Sequence, residues 1–137
     1  MPPDSELVAE TREWLVKART DLEVGAFLMT PARPYSADAT FHAQPAAEKS
    51  LKAFLTWHGS PFRKTHNLEE LGQQCVAVDT ALGPVADQAA PLTEYAWKFR
   101  YPGEIDEPDR ARAEEALTTA RNTFEGVLAR MPASVRP

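Results

Sequence analysis

Residues 41–55 read Phe41-His42-Ala43-Gln44-Pro45-Ala46-Ala47-Glu48-Lys49-Ser50-Leu51-Lys52-Ala53-Phe54-Leu55, and this stretch decides the fold. Phe41, Gln44, Ala47, Leu51, Phe54, Leu55 and, further on, His58 recur at the three-and-four spacing that lines one face of an α-helix. The helix is expected to follow Ser36 or Asp38 and to end near Gly59-Ser60-Pro61. Pro45 falls inside the pattern. It lacks a backbone donor, so it should either kink the helix or mark its first turn. A kink is expected, because Ala37–His42 already suits a helix.

The same periodicity extends outward. Leu7, Thr11, Trp14, Ala18, Leu22, Ala26 and Met29 share one face of a first helix, capped at Ser5 and broken by Thr30-Pro31-Ala32-Arg33-Pro34-Tyr35. Asn67 opens a third helix, with Glu70 as its capping-box partner and Leu68, Leu71, Cys75 and Val78 as its apolar face. Gly83-Pro84 and Pro91 separate a weak turn or short helix from a fourth helix, Leu92 to about Arg100, stopped by Tyr101-Pro102-Gly103. An acidic loop over Ile105–Pro108 leads to a last helix with Pro108 in its first turn and Leu117, Ala120, Phe124, Val127, Leu128 and Met131 facing the core. Residues 132–137 are expected to fray. No run shows sustained period-two alternation, no repeat is evident, and no linker separates two cores. The fold class is therefore all-α. An antiparallel, up-and-down bundle of four to five helices is expected, in one domain spanning residues 1–137.

At 137 residues and 43% hydrophobic content the chain can bury a real core, and no apolar run is long enough for a membrane span. No secretory signal is visible at Met1-Pro2-Pro3-Asp4, and a lone Cys75 excludes a disulfide framework or a cysteine-rich zinc site, so a cytoplasmic location is expected. The net charge of −5 argues against a bulk nucleic-acid binder. That average hides a pattern. Residues 40–66 sum to +3, from Lys49, Lys52, Arg63 and Lys64 against Glu48, inside an otherwise mostly acidic chain.

Gly-rich phosphate loops, His-Glu-x-x-His, paired Cys-x-x-Cys and Gly-x-Ser-x-Gly are all absent. His42, His58 and His66 are too scattered for a closed metal site, and no motif requires a cofactor. Three stretches remain. Lys49 and Lys52 share a face of the second helix, and His42, Glu48 and Lys52 lie close to another shared edge. Arg63, Lys64 and His66 stand at the mouth of the third helix, where backbone donors favour an anion. Arg100 and Tyr101 close the fourth. Each has a plain alternative: solvated lysines, a histidine that orients a helix start, an arginine that bonds the last carbonyls of its helix. Trp14, Trp57 and Trp97 read as core or interface residues, with base stacking as the alternative.

Taken together these stretches resemble the HEPN domain family. The motifs are Trp14, Lys17-Ala18, Asp21-Leu22 and Ala26 on the opening helix, the Phe41-His42-Ala43-Gln44 … Ala46-Ala47-Glu48-Lys49 … Leu51-Lys52-Ala53 helix, Thr65-His66-Asn67-Leu68, and Leu92-Thr93-Glu94-Tyr95-Ala96 leading to Arg100-Tyr101-Pro102. The resemblance covers most of the chain. It implies a helical, nucleotide-binding module, commonly a homodimer and often paired with a minimal nucleotidyltransferase in prokaryotic toxin–antitoxin-like systems. Anion or nucleotide contacts would then fall to Arg100, His66, Lys49, Lys52, Tyr101 and His42. RNase branches of the family place a histidine four to six residues after a late arginine. No histidine follows His66 here, so no catalytic residue is assigned and the chain leans away from an enzyme. Pro45 also stands where the family usually has Gln. A degenerate, metal-independent RNase and a non-catalytic protein-binding scaffold are the alternatives.

Overall fold

A computed structural model describes residues 4–102 and 107–137. Five α-helices, α1 (Ser5–Leu28), α2 (Ser36–Trp57), α3 (Leu68–Val78), α4 (Gly83–Ala89) and α5 (Arg110–Leu128), make up the described chain together with short 3-10 turns, and it contains no strand. The fold class is all-α, as the periodicity requires. No described helix is long and apolar enough to cross a membrane.

α2 is the central element. Leu51, Phe54 and Leu55 are fully buried, as are the small residues Ala39, Ala43, Ala46, Ala47 and Ala53, which let neighbouring helices approach closely. α1 and α2 are antiparallel: Asp21 meets His42 and Lys49, while Trp14, earlier on α1, meets Lys52, later on α2. Gly25 of α1 lies close against Leu117 of α5. A Cβ there would stand 2.5 Å from the Leu117 Cδ2, closer than carbon atoms can pack. Pro45 neither ends α2 nor opens it, because α-helix continues from Ser36 to Trp57 across it. Gly59, with φ +65°, ends the element: its N–H bonds to the Thr56 carbonyl and that of Ser60 to the Leu55 carbonyl.

Several boundaries differ from the expected ones. Asp4, not Ser5, caps α1, its carboxylate accepting from the Glu6 N–H. Asn67 caps α3 as expected, but Glu70 does not close the box. Its carboxylate is held by Arg63 at 2.8 Å, and Thr65 Oγ1 takes the Asn67 N–H instead. The expected fourth helix is the largest correction. Pro84 sits in the first turn of α4 and Pro91 in the first turn of a following 3-10 segment, Ala90–Ala96, so both prolines start structure rather than separate it. Arg100 consequently follows a turn rather than ending a helix. Asp109 caps α5 and Pro108 precedes the cap. Of the expected acidic loop, residues 105–106 lie outside the described residues, as does Gly103. The tail is not frayed: Val135 is fully buried, and Arg136 donates to the Leu128 carbonyl at 2.8 Å. Burial of the Val135 side chain offsets part of the cost of ordering the short segment.

Candidate functional site

Three segments distant in sequence meet beside α2. A groove of about 390 Å³ is lined by Phe41, Gln44, Pro45, Glu48 and Lys49 of α2, His66 from the loop before α3, Ala96 at the end of the 3-10 segment, and Arg100 just beyond it. Arg100 is brought there by an unusual turn. Phe99 has φ 68°, a left-handed conformation costly for a residue with a Cβ, and its ring is stacked on Tyr95 at 5.9 Å. The Arg112 Nε donates to the Tyr95 hydroxyl at 3.2 Å and steadies the pair from α5. The Arg100 guanidinium then lies 4.6 Å from the centroid of the Phe41 ring.

Glu48 is the electrostatic centre. It is buried, and its carboxylate accepts from Gln44 Nε2 at 3.1 Å, His66 Nδ1 at 2.7 Å and Lys52 Nζ at 2.9 Å. Burial pushes its pKa up, but these hydrogen bonds and the Lys52 charge outweigh that and hold it below the ordinary value. The ionised carboxylate only accepts, so His66 donates through Nδ1, which leaves Nε2 as its second ring nitrogen. Gln44 also donates to the His66 carbonyl at 2.9 Å, fixing the loop against α2.

A second carboxylate stands behind the groove. Asp21 of α1 accepts from His42 Nδ1 at 2.9 Å and from Lys49 Nζ at 2.6 Å. Burial raises its pKa, and the bonds from His42 and Lys49 together with their charges bring it below the ordinary value. Cys75 is buried under α2, its thiol pushed up to about 12 by burial, which makes it an inert core residue. Among the described residues no group of three His, Cys, Asp or Glu side chains could hold a metal ion.

A profile of the HEPN domain family matches residues 11–129. The chain belongs to the HEPN domain family. That membership assigns it to a class of helical, nucleotide-interacting modules. The crystal structure of an archaeal HEPN homologue superposes with a TM-score of 0.68 at 22% identity, over 88% of this chain and 96% of that one, and so shares its fold. No curated protein matches the chain.

Within this HEPN domain the residues singled out in the sequence divide into two sets. Arg100, His66 and Lys49 line the groove together. Lys52 does not: it is buried, 2.9 Å from Glu48 and 5.6 Å from the ring centroids of both Trp14 and Phe62, so it supports Glu48 from behind. His42 is bound to Asp21 outside the lining, and Tyr101 is 76% exposed. The groove residues that the reading missed as such are Phe41, Gln44 and Glu48, together with Asp21 behind it. The Gln44–Glu48 and Glu48–Lys52 pairs left a local trace, their i, i+4 spacing on one helix.

Proposed function

We propose that this HEPN domain binds a nucleotide phosphate in the groove between α2, the His66 loop and the Arg100 turn. The observation that carries the reading is the convergence of Arg100, His66 and Lys49 from three separate segments on one concave surface with an apolar wall of Phe41, Pro45 and Ala96. Arg100 offers the planar, multi-donor cation that suits phosphate oxygens. Calorimetric titration with adenine and guanine nucleotides tests this. Arg100→Ala combined with His66→Ala is expected to weaken binding at least about tenfold while the helical circular dichroism is unchanged. Unchanged affinity in the folded double variant, or no binding by the parent, would sink the assignment.

A second reading is favoured by one contact, His66 Nδ1 on the buried Glu48 carboxylate. A histidine oriented in this way can act as general base through Nε2, with Arg100 stabilising charge on a phosphate, as a weak metal-independent RNase would require. Cleavage of RNA in the presence of a chelator, lost in His66→Ala, would favour it over simple binding. We also propose a homodimer and a nucleotidyltransferase-like partner protein. The exposed Phe27, Tyr35, Trp97 and Tyr101 supply apolar surface for such contacts. Light scattering from a particle near 15 kDa at micromolar concentration would count against the dimer.

A further inference from the structure

The cations that mark this groove in the sequence are largely neutralised in the fold. Of the four basic residues in 40–66, Lys49 is bound to Asp21 at 2.6 Å, Lys52 to Glu48 at 2.9 Å, and Arg63 to Glu70 at 2.8 Å. Lys64 is exposed and does not line the groove. His66 is occupied on one side by Glu48. Arg100, its guanidinium 4.6 Å from the Phe41 ring centroid and its Nη1 3.5 Å from the Ala96 carbonyl, therefore stands as the one cation lining the groove without a carboxylate partner among the described residues. Facing it in the same lining is a carboxylate, Glu48, which its hydrogen bonds keep ionised.

On the reading that the groove binds a nucleotide, we infer that it takes a phosphodiester carrying one negative charge, and discriminates against nucleoside triphosphates. One phosphate charge is matched by Arg100. Each additional charge would meet no second lining cation without a carboxylate partner among the described residues, and Glu48 would repel it. The groove of about 390 Å³ has room for a base and one phosphate group against Phe41, Pro45 and Ala96. Such a diester has two sources, a cyclic mononucleotide or an internal linkage of an oligonucleotide. Both present the same singly charged group to Arg100.

Calorimetric titration of the full chain without magnesium, using 3′,5′-cyclic AMP, the dinucleoside monophosphate ApA, and ATP, tests the inference. At least one diester is expected to bind about tenfold or more tighter than ATP. Tighter binding of cyclic AMP identifies a cyclic nucleotide as the source, and tighter binding of ApA an internal linkage. Asp21→Asn removes the charge that holds Lys49, so the ratio of diester to ATP affinity should fall in that variant. A simple loss of packing would weaken all three ligands alike and leave the ratio unchanged. If Asp21→Asn fails to fold, the ranking on the parent protein decides alone. ATP binding as tightly as both diesters would overturn the charge selectivity and leave nucleotide binding standing. Binding of none of the three would overturn both.

Discussion

Replacing Glu48 with alanine is expected to destabilise the protein by about 3 kcal/mol or more. The cause is what the substitution leaves behind. Lys52 has 8% of its side chain exposed, and Glu48 is its one carboxylate partner in the described structure. Without Glu48 an ammonium remains in a mostly apolar pocket between Trp14 and Phe62. The two rings, each 5.6 Å away, recover a part of the loss through cation–π attraction, which keeps the expected figure at the lower end for a broken buried pair. His66 and Gln44 also lose an acceptor, but His66 is 75% exposed and can turn to water. Lys52→Met should cost less, because Glu48 keeps the bonds from His66 and Gln44 and the thioether suits the aromatic rings. Urea unfolding of both variants at neutral pH measures this. A loss below about 1 kcal/mol for Glu48→Ala would mean that Lys52 escapes to solvent.

The same carboxylates set the acid limit of stability. Asp21 and Glu48 both have folded pKa values below their ordinary ones. Their contribution is fully present above about pH 5 and is lost as pH falls through the carboxylate range towards the depressed folded values. Removing either carboxylate should therefore flatten the acid limb of the stability curve, as urea unfolding across that pH range would show.

How much of this could be read from the chain differs between fold and groove for a physical reason. The fold rests on periodicity, and α2 shows it in Leu51, Phe54 and Leu55 however the rest of the chain is arranged. The groove rests on charge partners brought from other elements. Lys49 and Lys52 share a helix face in the sequence, yet one is drawn to Asp21 on α1 and the other turns in towards Glu48 between Trp14 and Phe62. The basic block of residues 40–66 thus marks the right place for a misleading reason: most of its charge holds the structure together. Arg100 comes to line the groove with His66 after a 3-10 turn from Ala90 to Ala96 and a left-handed φ at Phe99, neither of which a helical pattern through Leu92–Arg100 implies. The tail differs from its composition for a similar reason, since Val135 is buried in the core of the bundle.

Phe54→Ala is expected to give the second large effect, a loss of about 3–5 kcal/mol and of roughly 10–20 °C in thermal midpoint. Phe54 is 1% exposed at the C-terminal end of α2, and its ring lies 4.4 Å from that of His58. Truncation leaves a cavity that the surrounding helices cannot fill, because the neighbouring alanines already set their closest approach. Position makes this substitution informative about function as well. Phe54 is six residues beyond Glu48, roughly 9 Å along the helix, and does not line the groove. Below its lowered midpoint the variant should bind the ligand of the parent with unchanged affinity, whereas Arg100→Ala should lose affinity with its midpoint unchanged. Thermal unfolding and titration of the two variants side by side separate what holds the bundle together from what the groove does. If Phe54→Ala loses affinity while still fully folded, α2 transmits its packing to Glu48, and the two cannot be treated as independent.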